Sequence, residues 1–513
     1  MTDISPLQRR EGDVLYEVVA HRLESLIEAG TLQPGDRLPS VRKLKSQLSI
    51  SSSTVLEAYR LLEDRGLIEA KPRSGYFVKL HLRRLPEEPT ATQPHRQIYG
   101  VDLSLAMRLN AALGRNPQGI QLGAAVPSPK LLPITALNRI TARLLRDQPE
   151  LAHSYGSALG RPELRHEIAR RLLDAGCSVT PDEIVVTNGA MEAVYLCLQA
   201  ATQPGDVVAV ESPTYFGLFE ALAALHLQVL ELPTDPREGI CLDTLKKVLQ
   251  QKQIAACLLV SNFSNPLGSL MSAVKKQQLV ALMSHHQTPI IEDDIYGELQ
   301  FDGPRPPALK AFDLQGWVMY CSSFSKTLSP GLRVGWTSPG RFQIQVEQGK
   351  MATNFATAII PQLTVATFLQ NGGYDRHLRR LRSAYRTQTL QMIQSVGEAF
   401  PSGTKVSRPL GGHVLWVELP EYIDTLDLYE LACRHDIYIA PGAMFSQSGH
   451  SRHGFRLNCG HPRSRELDVA VSQLGELAQK LLIESGMSYH PSSFGSGDVQ
   501  SSGLSAHHRH PHG

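Results

Sequence analysis

The sequence has no CxxC pair, no long apolar run and almost no net charge, and each absence narrows what the chain can be. Its seven cysteines (Cys177, Cys197, Cys241, Cys257, Cys321, Cys433 and Cys459) are scattered, several within apolar stretches such as "AACLLV". That usage argues against a disulfide framework and predicts buried, reduced thiols in a cytoplasmic protein. No apolar run approaches about 18 residues, so no segment is expected to span a membrane. The N-terminus lacks the basic-then-apolar pattern of a secretory leader. A net charge of +2 over 513 residues does not by itself single out a nucleic-acid partner.

What is present is an ordinary globular composition, 42% apolar and 19% charged, in a chain too long for one hydrophobic core. Two or more domains are expected. Residues 1–12 read as a loose tail and 13–80 as a compact unit with helical patterning. Residues 81–118, "HLRRLPEEPTATQPHRQIYG…LGRNPQG", carry prolines and charges and read as a partly extended linker. From 119 to 485, short apolar runs alternate with helical segments, which predicts an α/β domain with a mostly parallel sheet. A smaller α+β piece with "GHVLWVEL" as a strand closes it. Residues 486–513 are poor in apolar residues and read as a disordered tail; its histidines are assigned no metal site.

In the N-terminal unit, "LYEVVAHRLESLIEAG" is an amphipathic helix stopped by Gly30. Ser40 is placed to cap a short helix, "VRKLKSQL". A tight connection leads to a second helix, "SSTVLEAYRLLEDRG", with Val55, Tyr59 and Leu62 facing inward. "LIEAKPRSGYFVKL" reads as two strands around a turn at Arg73, Ser74 and Gly75. Helix, helix, turn, helix and hairpin make a winged helix-turn-helix. The helix starting near Ser51 would enter a DNA major groove by its N-terminal end, where Ser51, Ser52 and Thr54 can reach bases or phosphates. Arg42 can grip a phosphate, and the wing tip, Arg73 to Gly75, can reach the backbone or a groove. The competing reading is a small helical dimerisation or docking module. Residues 1–80 hold 12 Lys+Arg against 11 Asp+Glu, so charge does not decide; locally Arg37, Arg42, Lys43 and Lys45 run without an acid.

In the large domain one lysine, Lys326, sits among small polar residues in "SSFSKTLSPGLRVGW". A lysine amine whose pKa is lowered condenses readily with an aldehyde. Pyridoxal 5′-phosphate is an aldehyde cofactor that needs a lysine, an acid for its ring nitrogen, a ring platform and phosphate donors. Candidates for each stand in order at predicted strand ends. Asp293 in "TPIIEDD", with Asp294 as rival, faces the ring nitrogen. Tyr296 and Asn265 reach the ring oxygen, and Tyr215 is the platform. Backbone amides of Gly189, Ala190 and Met191 begin a helix that would attract the phosphate, and Ser323 and Arg333 complete its site. Singly these features are weak; a lone lysine after a strand is usually a surface residue.

Two resemblances rest on these residues. "GTLQPGDRLPSVRKLKSQLSISSSTVLEAYRLLEDRGLIEAKPRSGYFV" resembles the DNA-binding domain of the GntR regulators, departing at Ser52, often arginine there, and at Leu44-Lys45, often Leu-Ala. "SSFSKTLSPGLRVGW" and the order of the other pieces resemble fold-type I pyridoxal-phosphate enzymes of the aspartate aminotransferase class. That likeness implies that Arg456 in "FRLNCG" binds the carboxylate of an amino acid. It also implies that Tyr155 in "HSYGSALGRPELR" reaches the partner subunit's site. Ala125, often glycine in the enzymes, stands near the substrate carboxylate, and Met191 replaces a polar residue near the phosphate. Together the two halves resemble the MocR-type regulators. The expectation is a cytoplasmic, dimeric, DNA-binding transcription factor. It senses pyridoxal phosphate, an amine or an amino acid through aldimine formation on Lys326, with a residual aminotransferase half-reaction at most. The alternatives are a working aminotransferase with an accessory DNA-binding domain, and a regulator whose large domain is only a dimerisation scaffold.

Overall fold

The computed structural model describes residues 14–28, 31–32, 36–71, 74–78, 85–94, 97–105, 107, 109 and 119–485. The tails read at 1–12 and 486–513 therefore lie outside the described residues, as does Arg73.

The N-terminal unit is a winged helix-turn-helix of α1 (Leu15–Glu28), α2 (Val41–Leu48), α3 (Ser52–Asp64), β1 (Ile68–Lys71) and β2 (Gly75–Val78). Apolar residues at helical spacing close its core: Val19 and Leu23 of α1 meet Leu44 of α2 and Val55, Tyr59 and Leu62 of α3. Ser40 caps α2 by accepting from the Lys43 amide at 3.2 Å. Tyr59 is fully buried, and its hydroxyl donates to the Pro39 carbonyl, so the polar end of the ring is satisfied. Beside the two-stranded wing, Arg37 forms a single antiparallel bridge to Phe77.

The large domain is built on a nine-stranded mixed sheet. Eight of its strands follow the spatial order Ile98–Gly100, Gln228–Asp235, Val207–Ser212, Ala256–Leu259, Ile290–Asp293, Val318–Ser323, Gly335–Ser338, Val185–Thr187, and the ninth, Gly239–Ile240, pairs antiparallel with the end of Gln228–Asp235. The five strands from Gln228–Asp235 to Val318–Ser323 are mutually parallel. Their residues are apolar on both faces because helices cover both. Val208 and Val210 pack under the helices Ala190–Ala201 and Phe216–Ala224, while Ala209 between them faces Leu242–Gln250 and Ala273–His285. A second sheet of Lys405–Val406, Val414–Glu418, Gly454–Asn458 and Ala440–Pro441 forms a small subdomain under the helix Arg465–Glu484. Among the described residues no helix is long and apolar enough to cross a membrane.

Candidate functional site

Parallel strands deliver their carboxyl ends to one edge of a sheet, and loops leaving that edge surround a crevice. Here Asp293 ends Ile290–Asp293, Ser323 ends Val318–Ser323, and Tyr215 follows Val207–Ser212. A cavity of about 350 Å³ opens at that edge, within the roughly 300–1,000 Å³ range of small-molecule sites. Tyr215, Asn265, Asp293, Tyr296, Lys326 and Arg333 line it, with Ala190, Met191 and Ser323 beside them. Ala125 and Arg456 line it too, Arg456 from the small-subdomain sheet.

Burial sets the electrostatics. The Lys326 amine donates to the Ala125 carbonyl at 2.7 Å. Burial and the nearby Arg456 and Arg333 push its pKa down to about 8, against the pull of Asp293. Asp293 moves the other way: burial and the neighbouring Asp294 raise it to about 7. The rivals of "EDD" thus take different places. Asp294 accepts from Asn262 at 2.9 Å and from Arg305 and Tyr320 at 2.9 Å each, away from the cavity. Asp293 lines the cavity, and its Oδ1 is buried without a hydrogen-bond partner. A buried carboxylate oxygen facing a cavity is matched to a charged N–H donor, and the pyridinium of pyridoxal phosphate is such a donor.

On the facing wall, Arg456 donates to the Gly123 carbonyl through Nε and Nη2 at 3.2 and 2.6 Å and to Asn265 Oδ1 at 2.8 Å. Asn265 in turn lies 3.5 Å from the Tyr296 hydroxyl. Gly189, at φ +87°, starts the helix Ala190–Ala201 beside the cavity. A Cβ there would lie 2.3 Å from Arg333 Nη2, which itself donates to the Asn188 carbonyl at 2.9 Å. Helix N-terminus and guanidinium therefore converge where an anion would sit. Tyr155 does not join this set within its own chain. It is 91% exposed and stacks edge-on against Phe355 at 5.7 Å.

Sequence reasoning missed three supporting residues. Arg305 neutralises Asp294 from the loop "FDGPRPPALK", which carries no periodic signal. Glu192 accepts from the Asn188 amide and pairs with buried Lys350 at 3.1 Å, bracing the turn before the helix. Its placement four residues after Asn188 was the legible clue. His413 is buried against the Tyr296 ring at 5.5 Å, with burial and Lys326 pushing its pKa down to about 3, so it is neutral.

In the winged helix, Ser51 is the N-cap of α3. Its Oγ accepts from the Thr54 amide at 3.0 Å and lies within bonding distance of the Ser53 and Thr54 hydroxyls. Ser52 is exposed on the first turn, Thr54 is half-buried, and Arg42 is exposed on α2. Ser74 and Gly75 stand at the wing tip, where Gly75 has φ +101°. The Arg37 guanidinium covers Gly75; a Cβ there would lie 3.3 Å from Arg37 Nε. Arg37 entered the sequence reading only as part of a basic run, yet it stands at the wing.

Two family models match the chain: bacterial regulatory proteins of the gntR family over residues 15–78, and aminotransferase class I and II over residues 125–474. The HTH-type transcriptional regulator YdcR of Escherichia coli is 38% identical, over 91% of this chain and 99% of its own length. Among solved structures, the multiple substrate aminotransferase of Thermococcus profundus aligns with TM-score 0.69 at 27% identity, over 75% of this chain and 96% of that one. LysN, the α-aminoadipate aminotransferase of Thermus thermophilus in complex with N-(5′-phosphopyridoxyl)-L-leucine, aligns with TM-score 0.68 at 27% identity, over 75% and 96%.

Proposed function

The chain belongs to the MocR-type HTH transcriptional regulators, which join a GntR DNA-binding domain to an aminotransferase class I and II domain, and from that premise we propose that ligands of the large-domain cavity control its binding to an operator. It is a DNA-binding regulator whose cofactor is pyridoxal 5′-phosphate. That cofactor supplies an aldehyde that condenses with amines and a ring that withdraws electrons when protonated.

The residues divide the work. Lys326, with its pKa brought down to about 8, presents a partly neutral amine to the aldehyde. Asp293 holds the proton on the ring nitrogen, and the unpartnered Oδ1 is the observation that carries this assignment. Tyr215 lies against the ring, while Asn265 and Tyr296 address its oxygen. The amides of Gly189, Ala190 and Met191, with Ser323 and Arg333, hold the phosphate. Arg456 reads the carboxylate of an amino-acid effector with its planar fork, beside Ala125. Ser51, Ser52 and Thr54 at the start of α3, Arg42 on α2, and the wing from Arg73 to Gly75 contact DNA. The protein works as a cytoplasmic homodimer, with exposed Tyr155 offered to the partner's cavity. Turnover as a metabolic aminotransferase is not favoured, because the regulators match this chain nearly end to end, winged helix included.

The test titrates amino acids against wild type and Arg456→Gln, following cofactor absorption and operator affinity together. The reading expects one class of amino acid to move both signals in wild type, and at far higher concentration in the variant. An identical response in both proteins removes Arg456 from recognition. If no amine moves either signal in wild type, the cofactor itself becomes the effector.

A further inference from the structure

Residues 86–92, between the winged helix and the large domain, cross the seam between the main sheet and the small subdomain. On the small-subdomain side, Glu87 bridges parallel to Lys405, and its carbonyl accepts from the Val406 amide at 2.8 Å. Arg408 donates to the Pro86 carbonyl. One residue later the attachment changes sides. Glu88 takes two donors of the Arg237 guanidinium, Nε at 2.7 Å, in the turn that follows Gln228–Asp235. The Thr92 hydroxyl donates to the Ser212 carbonyl at 2.5 Å and accepts from the Thr234 amide at 3.1 Å. Ile98–Gly100 then joins the main sheet as an edge strand.

Both attachment points lead straight to the cavity. Ser212 is three residues before Tyr215, which lines one wall. Val406 pairs with Val417, and Trp416 beside it pairs with Arg456 on the opposite wall. We propose that residues 86–92 form a strap that senses the spacing between the two walls and passes it to the winged helix, which ends just upstream at Val78. A ligand that touches both Asp293 and Arg456 favours the spacing that suits both contacts, and it shifts the equilibrium by that difference alone. The Arg237 side chain is 69% exposed, so its pair with Glu88 is of the weak surface kind. Contacts this weak can be exchanged as the spacing changes, where a buried, dry attachment would lock it. The proposal rests on the reading above, that cavity ligands control DNA binding.

The experiment uses full-length protein, operator DNA and N-(5′-phosphopyridoxyl)-L-leucine as a probe that carries both the phosphate and the carboxylate. Wild type is compared with Arg237→Gln/Arg408→Gln, which loosens the strap without altering any cavity residue, and with Thr92→Val. Probe affinity should stay within about twofold in all three, a result that also shows the large domain is folded. In wild type the probe should change operator affinity by at least about fivefold, the lower end of usual coupling. In both variants that change should fall to less than half its wild-type size on a logarithmic scale. Variants that keep the full change overturn the strap while leaving the cavity reading intact. A wild type that binds the probe without any change in operator affinity overturns the cavity reading and the strap with it. Failure of wild type to bind the probe overturns the cofactor-site assignment beneath both.

Discussion

Replacing Asp293 with asparagine should make the cofactor-free protein more stable and the cofactor complex weaker. The two effects have one cause. In the folded protein burial and Asp294 raise the Asp293 pKa from 3.8 to about 7. The folded state therefore binds this proton more tightly than the unfolded chain does. Below about pH 4 the group is protonated in both states and costs nothing. Between pH 4 and 7 the unfolded chain ionises while the folded one resists, and stability falls. Above pH 7 the whole penalty is present, about 4 kcal/mol at roughly 1.4 kcal/mol for each pKa unit. Asparagine has the same shape and does not ionise, so at pH 8 the variant should gain a few kcal/mol over wild type, and at pH 4 almost nothing. Cofactor binding should suffer because a charge-assisted hydrogen bond is replaced by a neutral one. The difference between the two kinds of bond, about 1–1.5 kcal/mol, raises the Kd for pyridoxal phosphate roughly 5- to 12-fold. Denaturant unfolding of cofactor-free protein at both pH values gives the first number, and a titration followed by visible absorption gives the second. An asparagine variant with unchanged stability at pH 8 and wild-type cofactor affinity would refute the assignment of Asp293 to the ring nitrogen.

Other outcomes follow from the same geometry. Arg42→Ala should weaken binding to all DNA sequences and lower the slope of log affinity against log salt by roughly one unit, as electrophoretic shifts at several salt concentrations would show. Ser51→Ala should lose about 1 kcal/mol of winged-helix stability, because Ser51 caps α3, in addition to any change in sequence preference. Arg305→Met removes the cationic partner of Asp294 at nearly zero exposure and should destabilise the large domain by about 3–5 kcal/mol, measured by chemical unfolding; a cost below about 1 kcal/mol would show that the Arg305–Asp294 pair does not brace this part of the domain.

Local patterns carried most of the legible signal. Ser40, Val55, Tyr59 and Leu62 were readable because helix capping and helical spacing depend on neighbours within a turn or two. The strand ends bearing Asp293 and Ser323, with Lys326 in the loop just beyond, were readable for a related reason: an apolar run that stops at polar residues marks a buried parallel strand and the edge where ligands bind. The sequence favours Asp293 over Asp294 in "EDD" only through its spacing to Tyr296, and Asp293 is the one that lines the cavity. Alternation places Asp293 and Asp294 on opposite sides, but the packing of distant Arg305 and Tyr320 decides which side is which. His413 and Lys350 were invisible because their burial is set by helices far away in sequence. The prolines and charges of "RRLPEEPTATQP" suggested a linker. They gave no hint that its backbone pairs with Val406 and Thr234, since such hydrogen bonds leave no side-chain pattern.

The most direct measurement compares operator affinity in wild type and Lys326→Ala, each with and without saturating pyridoxal phosphate, with absorption spectra recorded on the same samples. Wild type should show both the visible band of the lysine-linked cofactor and a cofactor-dependent change in operator affinity. Lys326→Ala should still fold and bind DNA, lose that band, and lose most of the affinity change. A Lys326→Ala protein whose operator binding responds to pyridoxal phosphate as wild type does, or a wild type that stays colourless in excess cofactor, would contradict the claim that this cavity controls the winged helix.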